Sequence, residues 1–139
     1  TKSLSGNLDA RVDQGLWFLK NGQMENAMNC FSSASLKGHP NATRLWGEML
    51  IDQGVGHIDT LGGLMKLKKA ITIGSTLAEQ SYLKYRNTFQ VRELFALDDE
   101  SLDDYRSAVM SQPYKQIDDL DQRMLDKVIE EIKISKVII

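Results

Sequence analysis

An internal repeat of about 36 residues runs through the first part of the chain and is marked by alanine and glycine. Three small residues recur at this separation. The pairs are Ala34 with Ala70, Gly38 with Gly74, and Ala42 with Ala78. Such a period is typical of stacked helical hairpins. Small residues at a helix crossing allow two helices to approach to about 8 Å. Each hairpin leaves an apolar face that only a neighbour can cover, so the units are expected to stack.

The first unit is a few residues shorter than the second. Ala10 and Gly15 have the spacing of Ala42 and Gly47, and each pair opens an amphipathic segment. The positions of the apolar residues predict helices throughout this part of the chain. Their expected bounds are about 8–21, 24–37, 41–53, 60–73 and 76–89.

Glycine also marks the ends of the predicted helices. Gly38 and Gly74 each follow a helical segment and suit the left-handed position that ends a helix. The stretch Gly54-Val55-Gly56 invites comparison with a phosphate-binding loop, but a predicted helix precedes it and no Lys-Ser/Thr pair or third glycine follows. A turn between two antiparallel helices is the favoured interpretation, since glycine supplies the positive φ angles of a tight connection.

Apolar residues on one face of each predicted helix supply the candidate core. They are Phe18, Ala27, Phe31, Ala34, Trp46, Leu50, Leu64, Leu67, Ile71 and Tyr82. The single cysteine, Cys30, lies in an apolar periodic segment and is expected to be a small buried hydrophobe.

Charge divides the sequence near residue 90. Residues 1–89 carry ten basic and seven acidic side chains, whereas residues 90–139 carry seven basic and twelve acidic ones. We therefore expect residues 8–89 to form the repeats and residues 90–139 to form an acidic helical cap on the stack.

Two helices are predicted in this cap. Ser101 and Asp104 have the spacing of a capping box at the start of the first helix, and the second helix spans about 116–134. Acidic clusters near helix starts are expected to interact favourably with the helix macrodipole, with binding of a basic partner as the alternative. The clusters are Asp98-Asp99-Glu100, Asp103-Asp104 and Asp118-Asp119.

Residues that could carry catalysis or bind a metal are few. His57 and Asp59 are too small a set for zinc, and Asp59 is expected to cap the following helix. His39 is expected in a solvent-facing loop, and the two histidines suggest no Ser-His-Asp arrangement. The cluster Lys66-Lys68-Lys69 is interpreted as a solvated helix face, with an anionic partner as the alternative. We therefore expect no enzyme activity, no cofactor and no metal.

Composition and charge argue against other classes of function. The net charge of −2 gives no basis for nucleic-acid binding, and no apolar run reaches the roughly 18 residues of a membrane span. Residues 1–12 lack the apolar core of a signal peptide. The expected compartment is the cytoplasm, or the periplasm or exterior if a signal peptide has been removed.

The second unit resembles the Sel-one-like repeats, which are relatives of the tetratricopeptide repeats. Its matching residues are Trp46-Gly47, Gly54-Val55-Gly56, Asp59, Gly63, Lys69-Ala70-Ile71, Gly74 and Ala78. The first unit is similar to a plain tetratricopeptide repeat and lacks the Gly-x-Gly-Val insert. Its matching residues are Gly15, Phe18, Ala27, Phe31 and Ala34. The resemblance covers about residues 8–89.

This resemblance implies a right-handed α-α superhelix of two to three helical hairpins, closed by the C-terminal cap. It also implies a non-catalytic adaptor, scaffold or regulator that binds a protein or peptide in the concave groove of the first helices. By register, the groove positions are Val12, Leu16, Lys20, Arg44, Glu48, Asp52, Gln80, Lys84 and Asn87. The resembling family occurs in bacterial cytoplasm and periplasm and in eukaryotic lumens.

Two other roles stay open from the sequence. An inhibitor or immunity-type protein would occlude the surface of an enzyme, with the acidic cap meeting a basic target. A structural component would form homo-oligomers through the exposed apolar end of a short stack.

Overall fold

The computed structural model describes residues 4–112 and 116–138. Within these ranges the chain forms helices joined by turns, without a strand, which confirms the all-α class. The helices are α1 (Leu4–Lys20), α2 (Met24–Leu36), α3 (Pro40–Asp52), α4 (Gly56–Thr72), α5 (Ala78–Arg86), α6 (Phe89–Phe95), α7 (Asp99–Met110) and α8 (Asp119–Ile138).

The starts of α4 and α7 differ from the predicted caps. α4 begins at Gly56, so Asp59 lies in its first turn, where the carboxylate accepts the Val55 N–H at 2.9 Å. The predicted cap at Asp59 is therefore wrong, because Val55 holds that position. The predicted cap at Ser101 is wrong too. Asp98 caps α7 instead, and its carboxylate accepts the Ser101 N–H at 2.7 Å.

The helix predicted over 76–89 is interrupted after Arg86, and α6 follows as a separate helix. Thr88 accounts for the break. Its hydroxyl donates to the Tyr85 carbonyl oxygen at 2.6 Å, and its backbone is extended, with φ −76° and ψ 158°. A threonine hydroxyl bonded to the backbone in this way competes with the helical pattern.

Two helices end in the same way at equivalent positions of the repeat. Gly38 and Gly74 follow α2 and α4 with φ angles of 91° and 108°, which confirms the predicted left-handed positions. In both turns the next amide donates to the alanine carbonyl five residues earlier, the long bond of a Schellman motif. The bonds are His39 N–H to Ala34 O at 3.2 Å and Ser75 N–H to Ala70 O at 2.8 Å.

Buried apolar side chains form one cluster among α1, α2 and α3 and a second cluster among α4 to α8, which Ile51 of α3 joins. Of the predicted core residues, Phe18 and Ile71 are half-buried. The others are buried as expected, namely Ala27, Phe31, Ala34, Trp46, Leu50, Leu64, Leu67 and Tyr82. Cys30 is also buried, at 4% exposed.

Helix α4 lies at the centre of the fold and packs against α3, α5, α6, α7 and α8. The backbones of α3 and α4 approach each other closely at Gly47 and Gly63. A Cβ atom added at Gly47 would lie 2.8 Å from the Gly63 carbonyl oxygen, and one added at Gly63 would lie 2.7 Å from the Gly47 oxygen. The two glycines therefore permit the close helix approach that the repeat predicts.

Candidate binding surfaces

Helix α3 is joined by three side-chain hydrogen bonds to α5 and to the turn that precedes α5. The bonds are Ser75 Oγ to Asn41 Oδ1 at 3.2 Å, Ser81 Oγ to Glu48 Oε2 at 3.2 Å, and Tyr85 Oη to Asp52 Oδ2 at 2.6 Å. The bonded residues are separated in sequence by 34, 33 and 33 positions. A nearly constant separation means that α3 and α5 run in the same direction, side by side.

The first of these bonds has an equivalent between α1 and α3. His39 and Ser75 follow the equivalent glycines, and Asp9 and Asn41 precede the equivalent alanines of the first helices. The His39 Nδ1 atom accepts the Ala42 N–H at 3.1 Å, so Nε2 carries the proton that is donated to Asp9 at 2.6 Å. His39 is 9% exposed, and the predicted solvent-facing loop position is wrong because the imidazole caps α3.

The predicted groove residues differ in exposure. Val12 is buried in the N-terminal cluster and offers little surface to a partner. Arg44 and Glu48 are half-buried and form an ion pair with each other along α3. The remaining six are exposed, namely Leu16, Lys20, Asp52, Gln80, Lys84 and Asn87.

Side chains of α5 hold two carboxylates of α3 in place. Glu48 accepts from Ser81 while it pairs with Arg44, and Asp52 accepts from Tyr85. Burial, and after it the bond to Asp52, raises the pKa of the Tyr85 hydroxyl, so this group stays protonated as a donor. The α3–α5 face therefore presents charged groups whose orientations are fixed by neighbours.

Lysines of α4 meet a capping box at the start of α8. Asp118 accepts the Asp121 N–H at 2.8 Å, and Asp121 accepts the Asp118 N–H at 3.1 Å. Lys66 donates to Asp121 at 3.1 Å, and Lys69 donates to Asp118 at 2.9 Å. The predicted solvated face is wrong here, since α8 covers α4 and leaves Lys66 and Lys69 at 0% and 7% exposed.

These contacts change the proton affinities of the cluster. Burial lowers the pKa of Lys66 despite the adjacent Asp121 carboxylate. Burial also acts to lower the pKa of Lys69, but the hydrogen bonds that Lys69 donates to Asp118 and Asp121, and the charges of these carboxylates, outweigh burial and raise this pKa. For Asp118, burial is outweighed by the Asp121 N–H and the Lys69 ammonium group, which hold its pKa at about 2. Asp118 thus serves the helix start, as predicted for its acidic cluster, and also binds a lysine.

Glu131 joins α8 to both α4 and α5. Its carboxylate accepts from the Tyr82 hydroxyl at 2.9 Å and lies 3.1 Å from Lys68 Nζ and 3.2 Å from Arg86 Nη1. Burial opposes the charge of Glu131, but these three donors outweigh burial and lower its pKa. Helix α8 therefore lies over the groove between α4 and α5.

A cleft of about 380 Å³ opens between α2, α3 and the start of α4. It is lined by Met28, Asn29, Ser32, Trp46, Leu50, Gln53, Gly54 and Asp59. Trp46 lies two positions after Arg44, and Leu50 lies two positions after Glu48. Two positions correspond to roughly 200° around a helix. The cleft is therefore on the opposite side of α3 from the predicted groove.

The chain matches no protein-family model, no curated protein and no solved structure at a significant level. In residues 4–112 and 116–138, no group of three or more His, Cys, Asp or Glu side chains is placed to hold a metal ion. A search of the same described residues finds no helix with the length and apolar character needed to cross a membrane.

Proposed function

We propose that this protein is a non-catalytic interaction module that binds a protein or peptide along the face of its first helices, α1, α3 and α5. The observation that supports this most directly is the parallel alignment of α3 and α5 through Ser75, Ser81 and Tyr85. Parallel first helices side by side produce an extended surface, on which a partner segment contacts each repeat in turn.

The proposed architecture is a right-handed superhelix of hairpins like that of the Sel-one-like and tetratricopeptide repeats. Two observations support it. The Schellman turns at Gly38 and Gly74 are alike, and so are the bonds His39–Asp9 and Ser75–Asn41, one repeat apart. A third hairpin would consist of α5 and the short α6.

The proposed mechanism depends on side chains that are oriented before a partner arrives. Glu48 and Asp52 are held by hydroxyls of α5, so fixing them adds little entropic cost on binding. The exposed Lys20 and Lys84 add positive charge at the two ends of this face. A partner segment with alternating charges would be selected in register by such a pattern.

The proposal is tested by affinity capture from cells that contain the natural partner. Lys20→Ala with Lys84→Ala removes two exposed charges from the face. Arg44→Ala with Lys84→Ala removes one exposed charge and the Arg44 charge that is paired with Glu48. Lys37→Ala with Lys127→Ala is the matched control, because both lysines are exposed elsewhere. We expect the captured partner to bind at least about tenfold more weakly to both face variants, and with wild-type affinity to the control. Equal affinity for all the variants would reject the face.

A second candidate function, self-association, is favoured by the end of α1. Leu16 and Trp17 are 41% and 57% exposed there, which is high for large apolar side chains. A homo-oligomer through this end would cover both. Light scattering over a range of concentrations distinguishes this function, because a monomer at every concentration excludes it.

A further inference from the structure

Helix α1 exposes a large aromatic side chain at a repeat position that is buried in the later units. Trp17, Met49 and Tyr85 occupy this position in α1, α3 and α5. The first two each follow a glycine of the repeat, Gly15 or Gly47, by two positions, and Tyr85 lies 36 positions after Met49. Met49 and Tyr85 are each 4% exposed, whereas Trp17 is 57% exposed. The first unit therefore lacks a contact that the later units have.

In the later units this position faces the preceding hairpin. Met49 of α3 belongs to the apolar cluster of α1 and α2. The Tyr85 hydroxyl of α5 donates to Asp52 of α3 at 2.6 Å. Among the described residues α1 is the first helix, so no earlier hairpin covers its Trp17 side, which we call the outer side of α1. An exposed apolar side chain at a stacking position indicates an interaction surface.

Helix α5 is open on the side on which a further hairpin would stack. On α3 the corresponding side carries Glu48 and Asp52, which accept hydrogen bonds from α5. Lys84 and Thr88 lie 36 positions after these two residues. Lys84 is exposed, and Phe89, which follows Thr88, is 74% exposed. We call this surface the outer side of α5.

We infer that the outer side of α1 in one molecule stacks on the outer side of α5 in a second copy of this chain, so that the row of first helices continues across the contact. The inference rests on the second candidate function, self-association, and adds the surface that receives α1. A head-to-tail contact of this kind joins different surfaces of identical molecules. It lengthens a stack that is short in one copy.

The contact of α3 with α5 gives the register of this stacking. Asp13 of α1 is the equivalent of Ser81 of α5, since each lies four positions before the aromatic residue of the repeat position. The Ser81 hydroxyl donates to Glu48, the equivalent of Lys84, at 3.2 Å. Asp13 of one copy is therefore expected to lie opposite Lys84 of the next.

Charge complementarity favours a second copy as the occupant. Asp13 and Lys84 carry opposite charges, and both are exposed. Neither forms an ion pair or a side-chain hydrogen bond with another described residue. Each outer side thus supplies the charge that complements the other, and opposite charges across a contact fix its register.

The apolar parts of the two outer sides also complement each other. Tyr85 and Asp52 are bonded within one copy, and their equivalents across the contact are Trp17 and Thr88. Because Thr88 directly precedes Phe89, we expect the Trp17 ring of one copy to pack beside Phe89 of the next. Burial of these two exposed aromatic side chains supplies apolar area to the contact.

Charge reversal tests the register in the full chain, with the mass measured by sedimentation equilibrium over a range of concentrations. Asp13→Lys and Lys84→Asp each place like charges opposite each other, and we expect each variant alone to associate at least about tenfold more weakly than wild type. An equimolar mixture of the two should recover association, because every contact between the two variants again pairs opposite charges. The double variant Asp13→Lys with Lys84→Asp should recover it within a single kind of chain.

Two further variants test the apolar part of the contact. Trp17→Ala and Phe89→Ala should each weaken association at least about tenfold. Leu36→Ala is the matched control, because Leu36 is 48% exposed at the end of α2, in a cleft with Lys69 and Asp118. We expect this control to associate as wild type does. Circular dichroism checks that the three variants keep the helical fold.

Two results would overturn the inference and leave self-association in place. The first is a Lys84→Asp variant that associates as tightly as wild type, and the second is a mixture of the two reversed variants that associates as weakly as either one alone. A wild type that is monomeric at every concentration would reject the inference and self-association together. Neither readout depends on capture of a partner from cells, so the groove proposal fails or holds separately.

Discussion

Lys66 Nζ lies 3.1 Å from the Asp121 carboxylate, and both side chains are 1% exposed. Lys66 follows Cys30 by 36 positions, so the second unit has a lysine where the first has a small buried thiol. The ammonium group also lies 4.2 Å from the centre of the Trp46 ring. A lysine is tolerated at this core position because α8 delivers a carboxylate to it, which makes the cap part of the second unit's core.

Removal of either partner of this pair should have unequal effects on stability. Asp121→Ala leaves Lys66 as a buried charge without its carboxylate, and we expect a loss of about 3–5 kcal/mol in the free energy of unfolding. Lys66→Met should cost clearly less, because Asp121 keeps Lys69 at 3.2 Å and the Asp118 N–H at 3.1 Å. Urea unfolding at neutral pH measures both losses.

The double variant Lys66→Met with Asp121→Ala is the control for this asymmetry. We expect it to lose less stability than the sum of the two single variants, because the unpaired lysine is gone. Additive losses would show that Lys66 and Asp121 do not interact energetically.

Asp118 should contribute stability that is lost in acid. Its pKa is about 2 in the folded protein against an ordinary value of 3.8. The contribution is therefore complete above pH 3.8 and falls as the pH decreases toward 2, where the folded protein also takes up the proton. Asp118→Asn keeps a cap for α8 and should show a flatter loss of unfolding free energy in this range. If the unfolding free energies of wild type and Asp118→Asn fall in parallel over this pH range, the assignment is contradicted.

The sequence predicts features whose causes are local. Gly38 and Gly74 end helices because the backbone conformation at each position requires glycine, and Gly47 permits a close helix crossing. The repeat spacing carries this information, so the first helices and much of the core could be predicted from the sequence. The all-α class follows from the same pattern.

Features that depend on distant partners could not be predicted in this way. Lys66 and Lys69 are polar residues on a helix, and their burial depends on carboxylates 49 to 55 positions later. His39 is a loop residue by sequence, and its role depends on Asp9, 30 positions earlier. The lysine at position 66, where the first unit has the buried Cys30, is the one signal that could have indicated a buried ion pair.

Alanine at the two helix-ending glycines should destabilise the protein without a steric clash. Gly38 and Gly74 have φ angles of 91° and 108°, and an added Cβ atom would meet nothing within 4 Å at either position. Gly38→Ala and Gly74→Ala should each cost about 1–2 kcal/mol, because an L-residue is strained in this conformation. Asparagine tolerates the left-handed region better, so Gly38→Asn and Gly74→Asn should cost less. Thermal unfolding compares the four variants, and equal losses for alanine and asparagine would contradict the backbone explanation.

The hydroxyl that joins α5 to α3 should give stability that disappears in alkali. Tyr85→Phe removes the 2.6 Å bond to Asp52 and should cost about 1 kcal/mol near neutral pH. The pKa of Tyr85 is raised above its ordinary 10.0, first by burial and then by Asp52, so its contribution is complete below pH 10.0 and is lost as the pH rises further. The difference in unfolding free energy between wild type and Tyr85→Phe should therefore shrink in alkali. Asp52→Asn removes a charge that raises this pKa, so with it the loss should still begin near pH 10.0 but should be smaller and end at a lower pH. A wild type and a Tyr85→Phe variant that lose stability in parallel above pH 10.0 would show that the hydroxyl is not held as a donor to Asp52.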